Sequence, residues 1–143
     1  MRPTRSPYEH HSARTETHTV LDVRVDHRYV RSWLDEYQRL WRTHGTSELA
    51  EIFAPSATYS MAPFATPHCG LSAIETMWDA ERESADEVFT MVASIVAVEE
   101  QTAVVRAEVI YGEPMTRQYR DLWVIQFAPD GQCISFEEWP FWP

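Results

Sequence analysis

Four apolar-rich stretches fill the second half of this chain, and almost nothing separates them. They are residues 87–98, 102–112, 116–128 and 132–139, joined by "EEQ", "GEP" and "APDG". Each has the length and the Val, Ile, Tyr, Phe and Trp content of a long strand. A parallel crossover needs about a dozen residues or more, so strands joined this tightly must be antiparallel neighbours. The Asp-Gly pair closing the last join is a strong hairpin signal.

The first half has a different period. Val30, Trp33, Leu34, Tyr37, Leu40 and Trp41 fall at three- and four-residue steps, the apolar stripe of an amphipathic helix. Asp26 is placed to cap its start and Gly45 to end it. Residues 47–53 are expected to form a short second helix, stopped by Pro55. "ATYSM" at 57–61 has a strand pattern, and "APFATPHCG" is a Pro-rich connection. Ser72 and Glu75 then form a capping box that opens a third helix, with Ile74, Met77 and Trp78 on one face. Helices followed by a meander of strands give an α+β class, with helices packed on one face of a curved antiparallel sheet. Residues 26–143 form one domain. Residues 1–25 are expected to be a polar arm. "TVLDVRVD" within it is a short strand pattern, for a sheet edge or a partner subunit, and His10-His11 belongs to a solvated tail.

Composition removes several classes of function. A net charge of −10 argues against nucleic acid as the main partner, because phosphate binding needs a basic surface. No apolar run approaches the roughly 20 residues of a membrane span. No apolar leader is evident, and Cys69 and Cys133 lie far apart, so a cytoplasmic protein with reduced thiols is expected. All 12 basic side chains are Arg. The absence of Lys excludes side-chain Schiff-base chemistry, and the absence of Asn excludes N-linked glycosylation. There are 4 glycines, in none of the phosphate-binding, dinucleotide or nucleophile-elbow patterns. No His pair in the domain has zinc-site spacing.

The candidate chemistry centres on "QYRDLWVIQF". With a period of two, Tyr119, Asp121, Trp123, Ile125 and Phe127 share the more apolar face. That face should turn inward and carry the Asp121 carboxylate with it. There it is either a desolvated acid with a raised pKa, or a structural group held by Arg117, Arg106 or a tyrosine. On the last strand Ile134, Phe136 and Glu138 share a face expected to point inward. Arg106-Ala107-Glu108 is a second acid-bearing pattern. However, Val105, Ala107, Val109 and Tyr111 have the better claim to the core, which would put Arg106 and Glu108 outside as a cross-strand ion pair. His68 on the connecting loop is either a proton shuttle or a surface histidine. Trp33, Tyr37, Tyr59, Phe64, Trp78, Tyr119, Trp123, Trp139 and Trp142 are either core or the walls of a site for a flat, apolar ligand.

"IFAPSATY" after a long first helix, "HCGLSAIETMW" opening a later one and "YRDLWVIQFAPDGQCISFEEW" at the end carry a resemblance. The chain resembles the nuclear-transport-factor-2-like superfamily, in its SnoaL-like branch, over about residues 27–140. That resemblance implies a cone-shaped α+β barrel, in which a bent sheet wraps a long helix and leaves a pocket at the open end. Members include polyketide cyclases, ketosteroid isomerases, limonene-epoxide hydrolases and scytalone dehydratases, so the fold alone selects no chemistry. Met61-Ala62-Pro63 has no acid where the isomerases place their base. Arg106 and Glu108 match the Arg-x-acid of the epoxide hydrolases, Glu138 their second acid and Tyr59 their substrate-binding tyrosine. Met61 stands where their companion Asn would be.

The resemblance implies a cofactor-independent enzyme doing acid–base chemistry on an apolar, polyketide-like small molecule by cyclisation, epoxide opening, dehydration or isomerisation. Asp121 would be the main acid or base, Glu138 its partner, and Tyr59 would orient a substrate oxygen. Arg106 and Glu108 join only if strand parity turns them inward. A homodimer through the sheet is also implied. The alternative is a non-catalytic ligand-binding or assembly module of the same fold. What separates the two is whether Asp121 and Glu138 share an open cavity, or Asp121 is locked by an Arg in a filled one.

Overall fold

The structure, a computed structural model of the chain, describes residues 22–82 and 86–143. Helix α1 (His27–Trp41) starts where the sequence places it, because Asp26 Oδ1 accepts the backbone N–H of Tyr29 at 2.9 Å. Its 3.6-residue period buries Val30, Trp33, Leu34, Tyr37 and Leu40 along one side. The helix ends at Trp41, before Gly45, which takes φ 72 in the turn that follows. The carbonyls left open there are met by Arg82, which donates to Leu40 O, Thr43 O and Gly45 O.

Two expectations fail in the next segment. The helix over 47–53 is only a 3-10 turn, Leu49–Glu51, and Pro55 lies inside strand β1 (Phe53–Ser60) rather than ahead of it. Phe53 pairs with Cys133, but pairing resumes only at Thr58, because Pro55 has no N–H to give the ladder. A short strand β2 (His68–Cys69) forms within the Pro-rich connection and pairs with Thr58 and Tyr59. Helix α2 (Leu71–Glu81) buries Ile74, Met77 and Trp78 as expected. Its cap is Gly70, with no side-chain capping bond, so the Ser72–Glu75 box does not form. Gly70 holds φ 88 and donates to Ala57 O at 2.7 Å. That left-handed turn sends the chain from β2 straight into the helix and places Ser72 inside the first turn.

The meander then follows the sequence closely: β3 (Phe89–Glu99), β4 (Thr102–Tyr111), β5 (Arg117–Phe127) and β6 (Cys133–Phe141). The strand order is β2-β1-β6-β5-β4-β3. Every pair is antiparallel except β1 with β6, which run parallel in mid-sheet. The sheet is open and curls around the helices, as an α+β cone requires. A register shift between Ile95 and Ala97 marks an irregularity in β3, the kind that bends a strand. Arg31 and Gln38 of α1 donate to Ala93 O and Met91 O of the same strand at 2.8 and 2.9 Å.

Trp33, Tyr37, Phe53, Trp78, Trp123, Phe127 and Phe136 form the centre of the core. Residues 22–26 carry no strand, although Val23 donates to Pro129 O at 2.7 Å. The rest of the "TVLDVRVD" pattern and of the arm, including His10-His11, lies outside the described residues.

Candidate functional site

The inward face of β5 is the one the alternation selects. Asp121, Trp123, Ile125 and Phe127 are buried, and Tyr119 lies at the open end. On β6, Phe136 points inward, but Ile134 does not; it is 38% exposed while Cys133 is fully buried. The β5–β6 register shifts between Gln126 and Phe127, and that irregularity reverses the parity near the hairpin. Beyond it Trp123 lies opposite Glu138 and Asp121 opposite Pro140, so both carboxylates are on the inner side.

They share a cavity of about 200 Å³ at the open end of the cone, between α1, α2 and the inner faces of β3 to β6. Tyr37 and Trp41 of α1, Met77 and Glu81 of α2, and Met91 of β3 wall it on one side. Tyr59, Tyr111, Tyr119, Trp123 and Trp142 complete its aromatic lining. Asp121 is only 9% exposed, and its Oδ1 has no hydrogen-bond partner. Its Oδ2 accepts from Trp123 Nε1 at 3.4 Å. Desolvation pushes the Asp121 carboxyl up to about 6, against a smaller pull down from the indole N–H. No Arg holds it.

Glu138 is perturbed further. Desolvation pushes it up to about 8, opposed by a hydrogen bond from Tyr59, with the charges of Asp121 and Glu81 adding to the rise. Asp121 loses its proton first, so the repulsion between the two falls on the ionisation of Glu138. The Tyr59 hydroxyl donates to Glu138 Oε1 and lies 2.8 Å from the Tyr37 hydroxyl. Burial raises both tyrosines well above their ordinary range, so they stay neutral and act as a fixed hydrogen-bonded chain. Around neutral pH Asp121 is therefore the ionised member of the pair and Glu138 the protonated one.

The remaining candidates divide sharply. Tyr37, Tyr59, Tyr119 and Trp123 line the cavity. Trp33 and Trp78 are buried but do not reach it, because they fill the core below. Phe64 is fully exposed on the loop, and His68 is tied into the β1–β2 ladder away from the cavity. Arg106 and Glu108 face away from the site. Val105, Ala107 and Val109 take the inside of β4, which leaves Arg106 exposed beside Ser94 and Leu122. Glu108 accepts from Gln118 Nε2 at 3.2 Å and approaches Arg120 at 3.9 Å. The Arg-x-acid pair thus lies on the outer face of its strand, away from the cavity.

Sequence reasoning missed Trp41, Met61, Met77, Glu81, Met91, Val109, Tyr111, Arg117 and Pro140 as cavity residues. For Met91 and Tyr111 the period-two pattern was a usable signal. Arg117 reaches the mouth by turning back from the start of β5, where it meets Glu87 at 3.0 Å and covers Tyr111 at 4.6 Å. No periodicity announces that. Among the described residues, no three His, Cys, Asp or Glu side chains are grouped to hold a metal ion.

Solved structures agree on the fold at low identity. SalBIII, an epoxide hydrolase/cyclase-like enzyme in pyran ring formation in the polyether salinomycin, is 14% identical with a TM-score of 0.64, over 81% of this chain and 93% of its own. A steroid delta-isomerase from Pseudomonas aeruginosa is 19% identical with a TM-score of 0.58, over 79% and 80%. An NTF-2 like protein of unknown function from Burkholderia xenovorans is 11% identical with a TM-score of 0.64, over 81% and 85%. No curated protein matches the chain. The profile of the SnoaL-like domain does match, over residues 30–136, which is most of the chain and includes β1, α2 and β5 and ends within β6, before Glu138. The chain therefore belongs to the SnoaL-like domain family.

Proposed function

We propose that the protein is an enzyme that moves protons on an apolar small molecule, with Asp121 as general base and Glu138 as general acid. The observation that carries this reading is the pair of carboxyl groups in one cavity, pushed to about 6 and about 8 by desolvation. A base and an acid that coexist near neutral pH are what such chemistry requires. Cyclisation, epoxide opening, dehydration and isomerisation all fit. Tyr59 is a positioning residue in this scheme. Its hydroxyl is engaged by Glu138 and Tyr37, so it holds the acid rather than the substrate. Arg106 and Glu108 have no part.

The test is turnover of a panel of epoxides, β-hydroxy ketones and β,γ-unsaturated ketones by the full chain, Asp121→Asn and Glu138→Gln. Loss of about 10²-fold or more in either variant is expected for a general acid or base. Turnover unchanged in both variants would sink the assignment. Binding of panel members without turnover would make the protein a ligand-binding module.

Self-association through the sheet belongs to the same reading. Val92, Ile134, Trp139 and Phe141 are exposed apolar side chains on the sheet. Sedimentation equilibrium of the full chain against Trp139→Glu tests it, with a dimer expected only in the former. No described helix is long and apolar enough to cross a membrane. The cysteines are unpaired, which suits a reducing cytoplasm.

A further inference from the structure

The inner cavity is small for its chemistry. At about 200 Å³ it falls below the roughly 300–1,000 Å³ of ordinary small-molecule sites. With about 30 Å³ for each water-sized group, it holds roughly six or seven such groups. A shallower groove of about 450 Å³ lies directly outside it. Arg117, Tyr119 and Trp142 belong to the walls of both, so the groove continues the cavity rather than standing apart from it. Together they reach an ordinary site's size.

The groove runs between the β4–β5 turn and the segment after β6. Its polar walls are already engaged. Thr116 Oγ1 donates to Tyr111 O at 3.2 Å, and Gln118 Nε2 donates to Glu108 at 3.2 Å. What it offers is apolar: Met115 is 59% exposed and Trp142 68%. We propose that this groove is a second subsite, and that the substrate is an elongated molecule whose reacting polar end lies between Asp121 and Glu138 while its apolar chain passes Trp142 and rests on Met115. The unpartnered Asp121 Oδ1 sets the polarity of that reacting end, since a buried carboxylate oxygen requires a donor. A hydroxyl supplies one. This inference rests on the proposed function and adds the shape of the substrate to it.

The experiment uses a series of straight-chain alcohols, 1-butanol to 1-decanol, as probes on the full chain. Binding is read by tryptophan fluorescence, and Asp121 by its carboxyl-carbon titration. Each methylene withdrawn from water should tighten binding about fourfold. The wild type is expected to keep that increment past hexanol, where the inner cavity is full. Met115→Asp should bind butanol to hexanol as the wild type does and then level off, and Met115→Leu should restore the slope. Met115 is outside the inner cavity and largely exposed, so its replacement leaves the fold intact. A wild-type series that levels off at hexanol overturns the second subsite and leaves the acid–base site standing. An increment that Met115→Asp does not touch also overturns it. If no alcohol binds and none moves the Asp121 titration, the inner site fails and the subsite falls with it.

Discussion

Asp121 and Glu138 are diagonal neighbours on the inner face of one antiparallel strand pair, since Glu138 lies opposite Trp123 and Asp121 precedes Trp123 by two. Diagonal partners across such a pair are separated by roughly 7–8 Å, near enough for one charge to be felt by the other and far enough for a substrate group between them. The coupling is measurable without a substrate. In a carboxyl-carbon NMR titration Asp121 is expected at about 6 and Glu138 at about 8. In Asp121→Asn the Glu138 midpoint should fall, because one of the charges that raised it is gone. A Glu138 midpoint that stays put would show that the two do not share one environment.

Tyr59→Phe should move the same midpoint the other way. The Tyr59 hydroxyl donates to Glu138 and favours its ionised form, so its removal raises the Glu138 value above about 8. Tyr37→Phe, which touches Glu138 only through Tyr59, should give a smaller rise. Equal shifts in the two variants would contradict the chain as drawn.

Stability should fall as pH rises, contrary to the common pattern for paired carboxylates. Asp121 and Glu138 hold their protons more tightly folded than unfolded, so between about pH 4 and pH 8 the folded state binds more protons. Their contribution is complete below the unfolded values and is lost through about 6 and then about 8. Glu138→Gln should remove much of the slope, on the order of a few kcal/mol between pH 5 and pH 9. Urea unfolding at a series of pH values reads it. A variant with the wild-type slope would mean that Glu138 is not desolvated.

Arg106→Ala and Glu108→Ala should each change stability by less than about 0.5 kcal/mol and turnover by less than about twofold, because both side chains are exposed on the outer face. The same screen that finds a substrate checks this. A loss comparable to that of Asp121→Asn would restore them to the site.

Arg82→Met should cost about 2–3 kcal/mol in denaturant unfolding. The Arg82 side chain is 10% exposed, donates to the Leu40, Thr43 and Gly45 carbonyls at and after the end of α1, pairs with Asp79, and lies over Trp41 and Trp78. Methionine keeps the apolar stem and loses every donor. A loss below about 0.5 kcal/mol would show that water caps those carbonyls as well as Arg82 does.

The sequence was most legible where a period ran unbroken. Asp26, the α1 stripe and the four strands of the meander are where local pattern places them, because tight turns and alternation leave few alternatives. It was least legible at interruptions. Pro55 marked a break, but in a strand rather than a helix, and local pattern cannot tell these apart. Ile134 was assigned inward because the parity of β6 was counted through an irregularity that only the partner strand reveals. Asp121 and Glu138 were found because each sits on an inward face. Their common cavity depends on which strands adjoin, and that is fixed by long-range pairing. Phe64 and His68 were chosen for residue type on a loop, where no period says which way a side chain points.

The lone parallel pairing, β1 with β6, sets when the site comes into being. Tyr59 and Glu138 are 79 positions apart and meet only when the last strand slots between β1 and β5. A chain emerging from the ribosome can form α1, α2 and the β3–β4–β5 hairpins from nearby partners, yet Asp121 then has no Glu138 beside it and the aromatic walls lack Tyr59 and Phe136 joined to them. The cavity with its two inner carboxyl groups is thus a product of closure. Such distant pairings form slowly, and until β6 arrives the flanks of β1 and β5 are open edges. The same late step that completes the cavity also seals the protein against joining its neighbours.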